Sequence, residues 1–341
     1  MNFVRRAAWC GAALSFVAVL VAPAQSYHVA KALTLGGDGG WDYLALDSVG
    51  HRLFIARQTR VMVVNPEDGS VLGEIPGLDR AHGIAFAYDV GRGFATSGAD
   101  SSVVVFDLAT LRVQSRTTAA LDADAILYDP ASKRIFTFNG DSHSSSVIDP
   151  SSGRRIGTID LGAGPEFGVS AGDGKLYVNL EDKSAVAEID AVGMKVTRQW
   201  PLTGCESPTG LALDRAHHRL FSGCRSGVMA ISDAVAGGVI TTVPIGRGVD
   251  GCRFDPATQL AFASNGDGTL TIVHEDGPDA FRVVANVATR RGARTLELDE
   301  RTHRVYTVTA DFGPTPAATA AQARPRPSIL PGTFALLVLE P

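Results

Sequence analysis

Charge, sulfur and long apolar runs are all scarce in this chain. Only 20% of its 341 residues are charged, with 4 cysteines, 4 methionines and 3 tryptophans. So few cysteines exclude a disulfide-framed scaffold, and their spacing makes neither a metal knuckle nor a CxxCH haem site. No P-loop or HExxH pair is present. Beyond residue 24 no apolar run is long enough to cross a bilayer. Helical periodicity is missing after that point too, so a helix bundle is excluded.

What is abundant is glycine, at 37 residues, with 17 prolines and a hydrophobic fraction of 45%. That mixture excludes disorder and describes a chain of short strands that turns often. Length alone, at about 150 residues per domain, suggests two domains.

Residues 1–24 have the layout of a secretory signal. Arg5 and Arg6 form a basic start, Ala7 to Val21 an apolar stretch, and Ala22-Pro23-Ala24 a small-residue cleavage site. Cys10 lies too near the front of that stretch for a lipoprotein cysteine. Cleavage removes two positive charges and makes the net charge of −5 more negative. An acidic chain disfavours a phosphate backbone, so no nucleic acid is expected as partner. The expectation is a periplasmic or secreted monomer with no membrane span once the signal is removed.

A repeat then decides the architecture. The units HRLF (51–54), GRGF (91–94), KRIF (133–136), GKLY (174–177), HRLF (218–221), QLAF (259–262) and HRVY (303–306) recur about every 42 residues. Each is flanked by alternating segments and by turns such as Pro66-Glu67-Asp68-Gly69. This period is that of one four-stranded blade, so the expected fold is an all-β, seven-bladed β-propeller. In the first unit separate strands are expected at Leu53–Ala56, Val61–Asn65 and Ser70–Ile75. The last unit runs out of chain one strand short. The alternating segment His28 to Leu35 is expected to supply that strand and close the ring. Residues 28–341 would then form a single domain, with a proline-rich insertion at 311–332.

The runs GWDYLALD, AILYDPASKRIFTFNG, PTGLALD, LAFASNGDGTLTIVHED and RPRPSILPGTF resemble the YncE-like, YVTN-repeat β-propeller proteins, over roughly residues 28 to 341. The resemblance implies a propeller and export. It implies little about function, because that superfamily includes binding proteins, DNA-binding members and propellers attached to redox enzymes.

Aligning the repeats on their aromatic anchors places Asp42, His82, Asp124, Thr209, Asp250 and Arg294 at one equivalent position, where the first strand of each unit begins. Glu166 joins them if the turn at 172–174 absorbs a deletion. All seven are candidate ligand-binding residues at a channel mouth. Asp42, His82, Asp124, Glu166 and Asp250 are candidate ligands for a divalent metal such as calcium, zinc or manganese. The alternative is a wet channel mouth in which Arg294 neutralises Asp250 or Asp42. Loops with Asp100, Asn139-Gly140-Asp141, Asn179, Glu181, Asp182 and Asn265-Gly266-Asp267 share the rim, as pocket wall or as ordinary turns. The insertion leaves from that rim as a lid carrying Arg324 and Arg326, or as a surface loop.

Cys205 and Cys224 flank paired strands and are expected to form a disulfide, while Cys252 falls in an apolar register as a buried thiol. Trp41 reads as packing between blades, and His143 and His274 as surface residues. Two functions remain open: a binding protein for a small polar or anionic ligand, metal-assisted or not, and a metal-dependent hydrolase of lactonase or esterase type with His82 as base. No redox-cofactor residues can be picked out.

Overall fold

The computed structural model describes residues 26–319 and 325–341. The expected signal segment, Cys10 and Arg324 therefore lie outside the described residues. Strands form nearly all of the regular structure, and the one helical element among the described residues is a 3-10 turn at Tyr88–Val90.

The strands pair into six sheets, not seven. Five have four strands each. The inner strands Ala123–Asp129, Pro165–Ser170, Pro208–Asp214 and Val249–Asp255 each begin a meander of four antiparallel strands. The fifth such sheet joins Leu296–Asp299, Arg304–Thr309 and Ala335–Glu340 to His28–Thr34 from the other end of the chain. His28 pairs with Glu340 and Thr34 with Ala335, so the expected closure by the N-terminal strand is present.

The sixth sheet corrects the expectation of seven separate blades. It has six strands and spans the first two sequence repeats, so that, counted by sheets, the propeller has six blades. Arg52–Val64 and Val71–Ala87 each form one continuous strand, with left-handed residues at Gln58, Gly77 and Arg80, where separate strands were expected, and Gln58 pairs with Ala81. The cause is local. Other repeats turn between their second and third strands on Gly98-Ala99-Asp100, Asn139-Gly140-Asp141 or Asn265-Gly266-Asp267. The first repeat has Arg57-Gln58-Thr59-Arg60 there. Lacking glycine, asparagine and aspartate, it offers no side-chain-closed turn, and the backbone stays in the ladder apart from a kink at Gln58.

Middle strands are buried along nearly their whole length, as in Arg134–Asn139, because each sheet has a neighbour on both faces. Outer strands such as Lys195–Pro201 alternate between exposed and half-buried positions. The seven repeat aromatics, Phe54, Phe94, Phe136, Tyr177, Phe221, Phe262 and Tyr306, are all buried. Truncating one of these rings to alanine typically costs about 3–5 kcal/mol.

Candidate functional site

The inner strands line a central channel, and the predicted ring sits where they begin. Five ring residues fall at an irregularity in the pairing of inner and second strand. His82 lies between the paired Ala81 and Ile84, Asp124 between Ala123 and Ile126, and Glu166 between Pro165 and Gly168. Thr209 lies between Pro208 and Leu211, and Asp250 between Val249 and Gly251. Such bulges re-aim a side chain out of the ladder. Asp42 and Arg294 stand just before Leu44–Asp47 and Leu296–Asp299.

Two neighbours of the ring position complete the local rule. Two residues before it the backbone is left-handed at Arg80, Asp122, Ser207, Gly248 and Gly292, with φ of 59°, 58°, 49°, 72° and 84°. The residue after it is glycine in three strands. A Cβ at Gly210 would lie 2.6 Å from the Cys252 nitrogen, and one at Gly251 2.8 Å from the Leu296 nitrogen. Adjacent inner strands thus approach backbone to backbone at ring level.

Asp42 hangs from a glycine-rich loop held by a buried arginine. Arg57 donates to the carbonyls of Gly36, Gly37, Asp38, Gly39 and Gly40 at 2.9–3.3 Å, and stacks 3.6 Å from the centre of the Phe334 ring. Burial, with no carboxylate bonded to it, lowers Arg57 to about 10.

Asp42, His82, Asp124, Glu166, Asp250 and Arg294 line one open cavity of about 1070 Å³, with Arg80, Asp122, Arg225 and Arg326. Thr209 is fully buried and donates to the Val249 carbonyl at 2.8 Å, a link between inner strands. Three of the five candidate metal ligands converge: one donor atom each from Asp42, His82 and Asp124 lies within 4.8 Å of the others. His82 Nδ1 hydrogen-bonds to Asp42 and lies 3.2 Å from Asp124 Oδ1. That Asp124 oxygen is buried without a hydrogen-bond partner. Arg80 Nε donates to His82 Nε2 at 3.0 Å, which leaves Nδ1 facing the carboxylates.

The other two carboxylates are engaged elsewhere. Arg294 Nε donates to Asp250 Oδ2 at 2.7 Å. Arg225 lies 3.6 Å from Glu166 and 2.5 Å from Glu181. Burial raises Glu166 far above the usual carboxylate range, with a hydrogen bond to Glu181 and the charges of Asp124 and Asp250 adding to it. Burial also pushes Asp124 up to about 7, opposed by His82 and reinforced by Asp42 and Asp250. Asp250 is raised by burial against the pull of Arg294. Burial would lower His82, but the Asp42 hydrogen bond and the two carboxylates raise it on balance. The cavity is thus a desolvated acidic cluster rimmed by arginines.

The sequence did not single out Arg80, Asp122 or Arg225. The signal for the first two was the glycine two residues before the ring position in sibling repeats, at Gly248 and Gly292. GVSAG at 168–172 has the spacing of a nucleophile elbow. Its Ser170 instead donates to Asp129 at 2.6 Å at the far end of an inner strand.

Cys205 and Cys224 form the expected disulfide, and Cys252 is a buried free thiol. Trp41 packs against Phe312 and Phe334, with ring centres 6.0 and 5.5 Å away. The insertion turns back on itself through Phe312 paired with Ile329 and returns Arg326 to the cavity wall. His143 is half exposed, 3.8 Å from Asp182, and His274 pairs with Asp276 at 2.9 Å. No helix among the described residues is long and apolar enough to cross a membrane.

No protein-family model matches the chain, and no curated protein matches it. Among solved structures it is similar to a chain of Kuenenia stuttgartiensis hydrazine synthase, with a TM-score of 0.69 and 16% identity. The match covers 78% of this chain and 91% of that one. At that identity the likeness speaks for the fold alone, and the fold is a β-propeller.

Proposed function

We propose that this propeller is an exported, monomeric binding protein of the YncE-like type, taking a small polar or anionic ligand at the channel mouth with the help of a divalent cation. Asp42, His82 and Asp124 hold the cation, while Arg294, Arg80, Arg225 and Arg326 face the anionic groups of the ligand. The observation that carries this reading is the buried Asp124 Oδ1, left without a hydrogen-bond donor where an imidazole and a second carboxylate converge. A carboxylate in that position is stabilised by a cation. Asp250 and Glu166 serve instead as partners of Arg294 and Arg225. Export rests on the layout of residues 1–24 and agrees with the disulfide.

A second reading, a metal-dependent hydrolase, is favoured by one feature. His82, the expected base, is hydrogen-bonded through Nδ1 to the Asp42 carboxylate, an arrangement that orients an imidazole for proton transfer.

The test is metal content and calorimetric titration of chelator-treated mature protein with Ca²⁺, Zn²⁺ and Mn²⁺, repeated on Asp124→Asn. The expected result is that the variant binds one equivalent fewer than the parent. Equal binding by both proteins overturns the mouth site. Turnover of a simple lactone or aryl ester by the loaded parent alone would select the hydrolase.

A further inference from the structure

A second cluster lies at the opposite end of the inner strands. The turn after Pro208–Asp214 brings Asp214 and His217 against Glu275, which belongs to Thr269–Gly277 in the next sheet. The repeat shows how unusual Glu275 is. Its N–H donates to the carbonyl of Gln259 at 2.9 Å, as Leu108 does to Gly91, Ala191 to Gly174 and Ala234 to His218. Those equivalents are apolar and buried, whereas here the fold encloses a carboxylate with 0% exposure.

Neither Glu275 oxygen has a well-aligned hydrogen-bond donor. His217 Nδ1 lies 2.9 Å from Glu275 Oε1 and 2.7 Å from Asp214 Oδ2, yet it too lacks an aligned hydrogen-bond partner. Asp214 is fixed by the Ala216 and His217 N–H groups at 2.9 and 3.1 Å. Aspartates at the same register elsewhere meet a donor: Asp129 meets the Ser170 hydroxyl and Asp255 meets His303 at 2.7 Å. Asp214 meets, besides the His217 imidazole of its own turn, the Glu275 carboxylate of the next sheet. Two enclosed carboxylates beside one imidazole, with only a minor offset from the charge of Arg219, are costly to keep together without a cation.

We propose that Asp214, His217 and Glu275 form a second divalent-cation site, which clamps two neighbouring sheets on the face away from the mouth. The donor spacings of 2.7 and 2.9 Å are shorter than the edge of about 3.0 Å in an octahedron or about 3.4 Å in a tetrahedron with bonds near 2.1 Å, so the three side chains move slightly apart around a cation. One imidazole nitrogen with two carboxylates suits Zn²⁺ or Mn²⁺ better than Ca²⁺. The His217 side chain is 34% exposed, so water reaches the remaining coordination positions.

The experiment titrates chelator-treated mature protein with Zn²⁺ and, separately, Mn²⁺, and reads bound metal per chain and the thermal midpoint. It compares the parent with Glu275→Ala, His217→Gln and the mouth variant Asp124→Asn. Glu275→Ala installs the residue found at Ala191 and Ala234. It is expected to fold, to melt above the parent without metal, and to lose one equivalent of metal with the metal-induced rise in midpoint. His217→Gln, on an exposed turn, loses the same equivalent. Asp124→Asn retains it, which separates this site from the mouth. If the parent binds no more Zn²⁺ or Mn²⁺ than Glu275→Ala, and gains no more stability from either, the site is refuted.

Discussion

Arg294 donates its Nε–H to Asp250 Oδ2 at 2.7 Å, and that contact withdraws one ring carboxylate from any cation at the mouth. Asp250 is buried and already raised, so it depends on this guanidinium to remain charged. Arg294→Gln should lower stability by about 2 kcal/mol, less than for a fully buried pair because Arg294 is partly exposed. Asp250→Asn combined with Arg294→Gln should recover most of the loss. Denaturant midpoints of the parent and the two variants decide the matter, and an Arg294→Gln protein as stable as the parent would contradict the pairing.

Arg57 organises the loop that carries Asp42, through five carbonyls and the face of Phe334. Arg57→Ala should destabilise by about 3 kcal/mol, because five carbonyls lose the one charged donor they share. Arg57→Lys should rescue little, since an ammonium has neither the fork of donors nor the plane that stacks. Hydrogen exchange at residues 36–42 should accelerate in both variants. Parent-like exchange in Arg57→Lys would mean that charge alone holds the loop.

The cysteines make a simple prediction. Thiol titration of the denatured mature chain should find one reactive group without reductant and three with it, since Cys205 and Cys224 are joined and Cys252 is free. Two further thiols before reduction would show that the bond does not form.

Cys252 gives a prediction about pH. Burial pushes its thiol up to about 12, whereas in an unfolded chain it titrates near 8.5. The folded state therefore keeps a proton that the unfolded state releases. The contribution to stability is full below about pH 8.5 and is lost as pH rises toward 12, at about 1.4 kcal/mol per pH unit. Cys252→Ala lacks this loss, so between pH 9 and 10.5 the parent should lose stability faster than the variant. Parallel curves would show that the thiol ionises within the fold.

Much of this architecture was legible along the chain. The repeat of Phe54, Phe94, Phe136, Tyr177, Phe221, Phe262 and Tyr306 reports burial between sheets, and burial is what a hydrophobic period encodes. The closing strand was legible because His28–Thr34 alternates while the last unit is one strand short. The sheet count was not. It depended on Arg57-Gln58-Thr59-Arg60 lacking turn residues, and only the paired backbone shows that the ladder runs through them into a six-stranded sheet.

The mouth divides in the same way. Position in the repeat was enough to gather Asp42, His82, Asp124, Glu166, Asp250 and Arg294 around one cavity, because inner strands of a ring all start at the same rim. Repeat position could not say which carboxylate faces an imidazole and which faces a guanidinium, nor that Thr209 turns inward to the Val249 carbonyl. Those choices are made by bulges and by neighbours roughly 40 or 250 residues away in sequence. The same holds for Glu275, an unremarkable acid in the sequence until the next sheet encloses it beside Asp214 and His217. Sequence alone determined what repeats and what is buried, since both are properties of a single strand. Tertiary structure decided pairing and charge state, since these depend on contacts and desolvation that no single strand contains.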